Sequence, residues 1–156
     1  MSDVAGTHEV AVSAALAACE AVLDDVARYP EWYDTIDAAR VLDRDDSGRA
    51  TRAELEIAAG PLGAVELTLE LSRERPGHLI GTQVAGNGRV ERVRMEWTLN
   101  PLSPVSTRIE YRFRADAASW AVRAALRAAR PLVERDLVHR PAEALRRRVE
   151  SGAAIV

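Results

Sequence analysis

Lysine is absent from this 156-residue chain, and every one of its 21 basic side chains is an arginine. That bias fits the coding habit of a GC-rich genome and is a hint of bacterial source, without bearing on chemistry. Cysteine occurs once, at Cys19, which excludes an intramolecular disulfide and any paired-cysteine metal centre. Aromatic residues are few: three tryptophans, three tyrosines and one phenylalanine. No apolar run approaches the roughly 20 residues that span a bilayer. The opening MSDVAGTHEV has neither a charged n-region nor an apolar h-region, so a cytoplasmic location is expected, with transient membrane contact left open. An excess of positive charge is missing too. The formal net charge is −3, which disfavours nucleic acid as a partner. GxSxG, HExxH and P-loop patterns do not occur, and nothing calls for a cofactor.

What is present is a change of hydrophobic period. Thr7 to Ser13 alternates His8, Val10 and Val12 with polar or small residues and reads as a strand. Ser13 then suits a helix N-cap, and Leu16, Cys19, Val22, Leu23 and Val26 share one face of a helix over Leu16 to Arg28. That spacing places Cys19 in the core. Pro30 disfavours helix at Tyr29, so a break is expected there, followed by a short helix over Glu31 to Ile36.

From Ala38 to Asp116 the period is two. Turn signals at Asp45–Gly48, Gly60–Gly63, Arg75–Gly77, Gly86–Gly88 and Asn100–Pro104 divide this stretch into six strands of an antiparallel meander. Alternation points Leu55, Ile57, Val65, Leu67, Leu69, Leu71, Val93, Met95, Trp97, Leu99, Ile109, Tyr111 and Phe113 one way, and glutamates and arginines the other. The strand at His78 to Ala85 is ambiguous, because Leu79 and Ile80 are adjacent. Val122, Leu126, Ala129, Val133 and Leu137 then recur at helical spacing in a long C-terminal helix, with kinks expected at Pro131 and near Pro141. One domain over 1–156, with its core in about 7–150, accounts for the whole chain.

Several local patterns have to be weighed. Asp43 to Gly48 followed by Glu54 has the outline of a calcium loop, but strand patterns flank it, so a hairpin turn is expected and no metal. His8, His78 and His139 have solvated or structural settings, and the strand carboxylates alternate with arginines on the solvated face. Arg135, Arg140 and Arg146 to Arg148 give the C-terminal helix a basic surface to which a macromolecular partner could bind.

The segments EVAVSAALAACEAVLDDVARYPEWYDTI, RVLDRDDSGRATRAELEI and WTLNPLSPVSTRIEYRF, together with the final helix, carry a resemblance over nearly the whole chain. YPEW at Tyr29 to Trp32 is its most specific element. The chain resembles the START-like helix-grip superfamily (SRPBCC), in the polyketide cyclase/dehydrase and lipid-transport group that includes coenzyme-Q-binding proteins. The resemblance implies an α+β helix-grip fold, β-α-α-β6-α, with a curved seven-stranded antiparallel sheet wrapped around the C-terminal helix and a hydrophobic cavity between them.

Residues expected to line that cavity are Leu55, Ile57, Leu67, Leu69, Met95, Trp97 and Phe113 from the sheet, and Val122, Leu126 and Ala129 from the helix. Tyr111 and Thr51 are the inward polar handles, joined by Gln83 if its strand parity allows. Trp32 and Tyr33 form either a wall of the cavity or a cap on the core. This lining suits a hydrophobic small molecule such as a lipid, isoprenoid quinone or polyketide. A polyketide aromatase/cyclase enzyme is the alternative and a protein- or ribosome-interacting module a further one. No residue pattern fixes the oligomeric state.

Overall fold

The computed structural model describes residues 2–155, so Met1 and Val156 of the expected 1–156 domain lie outside the described residues. Seven strands form one antiparallel sheet: β1 (Val4–Val12), β2 (Ile36–Arg44), β3 (Ala50–Ala58), β4 (Ala64–Ser72), β5 (His78–Gln83), β6 (Val90–Ser103) and β7 (Ser106–Ala117). Their order is β1-β7-β6-β5-β4-β3-β2, so the meander runs from one edge and the first strand closes the other beside the last. Four of the five turn signals fall between strands, whereas β6 runs through Asn100–Ser103 and turns only at Pro104–Val105, a correction to the turn expected over Asn100–Pro104. The inward set picked out by alternation, from Leu55 to Phe113, is buried. The expected α+β helix-grip architecture is the one observed, a curved open sheet covered on one face by helices.

β5 resolves its ambiguity by burying both faces. Leu79 and Gly81 pair with Trp97 and Met95 on the inner side, whereas His78 and Ile80 are buried on the outer side. There His78 Nε2 lies 2.7 Å from Glu96 Oε2.

Two irregularities shift the period. Between Glu91 and Arg94 the β6–β7 register slips around Arg92, which has a φ of 54°, an unusual value for a residue with a Cβ. Its guanidinium donates to Asp116 at 2.7 Å and holds the bulge. A second slip, between Val41 and Arg44 on β2 opposite Ala50 to Ala53, turns Ala50 fully inward and leaves Thr51 half-exposed. The inward Thr51 expected from strict alternation is therefore corrected by this bulge. The calcium-like segment Asp43 to Gly48 is a hairpin turn. Asp45 Oδ1 accepts from Ser47 N, Ser47 Oγ and Arg49 N at 2.9, 2.6 and 3.0 Å, an Asx-type turn.

The helical segments depart from expectation at their ends. Helix α1 covers Leu16–Asp24 only, with Ala15 rather than Ser13 at its start. A 3₁₀ segment over Val26–Glu31 replaces both the rest of that helix and the expected helix at Glu31 to Ile36. Pro30 has no N–H to give to Val26, so the chain tightens before the proline. Tyr29 Oη donates to the carbonyl of Leu23 at 2.5 Å and satisfies one of the last carbonyls of α1. Cys19 is fully buried on α1, and burial pushes its thiol pKa up.

The C-terminal helix is not one rod. It consists of α2 (Trp120–Ala128), α3 (Arg130–Glu134), a π-turn over Arg135–His139, and α4 (Arg140–Ile155). Pro131 sits in the first turn of α3 after a break at Ala129, and Pro141 follows the π-turn, so the two kinks expected from proline are present as breaks. Gly6 lets the π-turn lie on β1, because a Cβ there would meet Val138 Cγ1 at 2.7 Å. The arginines of this region are ion-paired within the chain: Arg140 and Arg147 with Asp34 at 3.2 and 3.0 Å, Arg148 with Glu31 at 3.1 Å, and Arg146 with Glu150 at 3.4 Å. A free basic patch for a macromolecule is correspondingly reduced.

Gly77 has φ +75°, and a Cβ there would lie 2.6 Å from the Leu99 carbonyl. Gly77→Ala is expected to cost on the order of 1–3 kcal/mol, whereas Gly86→Ala, with open space around it, should stay within about 0.5 kcal/mol. Chemical denaturation of the two variants side by side checks this. Glu96 supplies a pH test. The hydrogen bond from His78, with Arg94 nearby, holds its carboxyl below the usual glutamate value of 4.5. A depressed carboxylate stabilises the fold above its unfolded pKa, and that contribution is lost as pH falls through the folded value. Glu96→Gln should therefore lower stability at neutral pH and flatten the decline below about pH 4.5, as read by thermal melts across pH.

Candidate ligand-binding cleft

The interior divides into a packed aromatic end and an open apolar end. At the first, Tyr29, Trp32, Tyr33, Trp97 and Tyr111 form a continuous chain of ring contacts. Centroids lie 5.3 Å apart for Tyr29–Trp32, 5.2 Å for Trp32–Tyr33, 6.2 Å for Tyr33–Trp97 and 4.4 Å for Trp97–Tyr111. The proline-tightened 3₁₀ segment is what puts three of these rings on one side, against β6 and β7. All five are buried. Tyr33 Oη donates to Tyr111 Oη at 3.2 Å, and burial pushes both phenols well above their usual pKa, so they remain neutral hydrogen-bonding groups. The gathering of aromatics in ARYPEWYD thus builds the cap of the core.

At the other end lies a small cleft of about 30 Å³. Its sheet wall consists of Ile57, Val65 and Leu67 with Val93, Phe113 and Ala115. Val4 of β1 and Val90 of β6 close its sides, Leu62 of the 3₁₀ turn Gly60–Leu62 and Ala59 just before it form one lip, and Leu126 and Leu137 descend from the helical segments. Every side chain in this lining is apolar. The lip is fixed by polar contacts outside the lining. Gln83 Nε2 donates to the carbonyls of Ala85 and Val90, and Gln83 Oε1 accepts from Val93 N at 3.2 Å. Asn87 Oδ1 accepts from Arg89 N and Val90 N, and the Arg89 guanidinium donates to the Leu62 carbonyl.

Four of the expected lining residues, Ile57, Leu67, Phe113 and Leu126, meet around this cleft. Leu55, Leu69, Met95, Trp97, Tyr111 and Trp32 are buried in the packed core away from it. Val122 and Ala129 are partly buried against the core, and Thr51 faces partly outward. Sequence reasoning missed Val4, Ala59, Leu62, Val65, Val90, Val93, Ala115 and Leu137 as lining residues. Val65 and Val93 were on the inward face but not singled out. Val90 has the wrong parity for strict alternation and turns inward only because of the bulge at Arg92. Leu137 reaches the cleft from the π-turn. Gln83 points its amide into the β5–β6 loop and not into the interior. Among the described residues no group of three or more His, Cys, Asp or Glu side chains is placed to hold a metal ion.

The family model for polyketide cyclase/dehydrase and lipid transport matches residues 21–141. The chain belongs to this START-like family. Solved structures similar to the START-like domain described here include a START superfamily protein from Mycobacterium smegmatis, 18% identical with a TM-score of 0.76, covering 94% of this chain and 97% of that one. The ZhuI aromatase/cyclase from Streptomyces sp. R1128 is 15% identical with a TM-score of 0.77, at 96% and 95% coverage. A protein from Thermus thermophilus is 14% identical with a TM-score of 0.79, at 96% and 99% coverage. The TM-scores show a shared fold, and at these identities the likeness extends to the fold alone. No curated protein sequence matches the chain. No helix of the described residues is long and apolar enough to cross a membrane.

Tyr111→Phe leaves the Tyr33 hydroxyl buried without its partner, at an expected cost of about 1–3 kcal/mol. Because that hydroxyl lies outside the cleft lining, affinity for any ligand of the cleft should be unchanged. Urea denaturation and a binding titration on the same preparation separate the two effects.

Proposed function

We propose that this START-like domain binds a hydrophobic small molecule in the cleft between sheet and C-terminal helical segments, for transport or sequestration. The observation that carries the reading is the lining itself. Twelve apolar side chains surround a space at the rim of the fold that the core does not fill. Membership of the polyketide cyclase/dehydrase and lipid transport family supports the same class of ligand: a lipid, an isoprenoid quinone or a polyketide.

The cleft, at about 30 Å³, holds no more than the volume a water molecule occupies in the liquid. A ligand therefore has to widen it. The mobile wall in this reading is α2, whose only buried side chain is Leu126 and which is cut off from the following helix at Ala129. The enzymatic alternative, an aromatase/cyclase like the structurally similar Streptomyces protein, needs a titratable group at the reacting atom. The cleft lining offers none, so the binding reading is the one we advance.

Purified protein incubated with an extract of its host and analysed by native and denaturing mass spectrometry should retain a lipophilic compound of defined mass. Val93→Ile and Ala115→Val, which add methyl groups inside the cleft, should weaken binding of that compound at least tenfold, about 1.4 kcal/mol. Their fold should change by less than about 1.5 kcal/mol if the added groups occupy the existing space. Unchanged affinity in the folded variants would overturn the assignment of the cleft.

A further inference from the structure

A second depression adjoins the cleft on its outer side. This groove of about 370 Å³ runs between the start of β1 and the α2–α3 junction. Val4 and Leu126 line both spaces, so a partition of two apolar side chains separates them. The groove alone is within the size range of small-molecule sites, roughly 300–1,000 Å³. Unlike the cleft it is charged, with Asp3, Arg127, Arg130 and Glu134 around it.

The four balance formally, but Arg123 neutralises Asp3 from outside the lining and leaves one guanidinium of the groove over. Asp3 is occupied: its carboxylate accepts from Ala117 N at 2.8 Å and from Arg123 Nε at 2.9 Å, contacts that hold its pKa below the usual value and keep it ionised. Glu134 accepts from Arg130 Nε at 3.1 Å, one turn away on the same helix. Arg127 makes no ion pair or hydrogen bond among the described residues, its charge reaching the Asp3 carboxylate only at longer range, and it is exposed. It follows Leu126 directly in α2, so the residue that plugs the cleft and the residue that gives the groove its surplus positive charge move together.

Resting on the reading of the cleft as a ligand site, we infer that the ligand is an amphiphile with a compact anionic head group. Its apolar chain enters the cleft past Val4 and Leu126, and its carboxylate or phosphate stays in the outer groove on Arg127, with Arg130 beside it. A guanidinium suits this role because its fork of donors matches the oxygens of such groups. Leaving the head group in a solvated groove avoids the large cost of burying a charge in an apolar cleft.

The test compares head groups at constant chain. Octanoate, dodecanoate and hexadecanoate, dodecyl phosphate, and the corresponding alcohols are titrated by calorimetry against the wild type and Arg127→Glu. Arg127 is exposed and unpaired, so the variant should fold normally, which its thermal melt verifies. The expected result is that at least one anionic probe binds ten times more tightly than its alcohol, with a preference that shrinks as salt is raised. Arg127→Glu should remove that preference and leave alcohol affinity unchanged. Tighter binding of carboxylate than of phosphate, or the reverse, identifies the head group. Equal binding of acid and alcohol by the wild type, or an anion preference that survives Arg127→Glu, overturns the inference while the cleft remains a binding site. Binding of none of the probes at any chain length overturns it together with the reading of the cleft.

Discussion

A seven-stranded antiparallel sheet with apolar side chains on one face is stable only if that face is taken out of water. In this chain the cover is the segment from Trp120 to Ile155, helped by α1 and the 3₁₀ segment. The rest of the structure depends on how that cover fits. Two prolines prevent it from running straight, and its segments meet the sheet at different depths. α4 places Ala142, Leu145 and Val149 into the core, whereas Leu126 is the one side chain of α2 that is fully buried, with Val122 and Ala125 only partly so. The tightly covered end of the sheet is solid, and the loosely covered end contains the cleft.

The aromatic cluster belongs to the same division of labour. Rings at 4.4 to 6.5 Å centroid distance fill the deep end with few residues, and each contributes packing beyond the area it buries. Tyr33 and Tyr111 satisfy each other there, so this buried hydroxyl pair is structural in its position. Exposed ion pairs from α4 to Glu31 and Asp34 hold the same segment from outside, though such pairs contribute little each. At the open end there are no large rings except Phe113, and small residues such as Ala59 and Ala115 leave space.

Bulges supply the other constraint. The slip at Arg92 adds a residue to β6, so that Val90 and Val93, three apart, face the same side. A bulge at the rim of a sheet sharpens its bend, and here it faces the turn Gly60–Leu62 across the cleft. The Gln83, Asn87 and Arg89 contacts then anchor the loop that follows β5. Those contacts tie the rim to the sheet, whereas α2 is held by fewer buried side chains.

Strand number, four of the five turns and the buried face were determined by the sequence alone, because a period of two with glycine and proline punctuation is a local signal; at Asn100–Pro104 the strand runs on past the expected turn. Leu55 through Phe113 were legible for that reason, and so were the breaks at Pro131 and Pro141, which follow from a missing N–H. The site was legible only in part. Ile57, Leu67, Phe113 and Leu126 line the cleft, whereas Trp97 and Tyr111, equally inward in pattern, pack in the core. Alternation reports which face a side chain takes and not how far along the sheet the helix stays in contact with it. Thr51 was misread and Val90 passed over, because a bulge changes parity without a mark in the hydrophobic pattern. The position of the cleft, and its neighbourhood with Arg127, were decided by the tertiary structure, where a segmented helix meets a bent sheet and leaves one end incompletely filled.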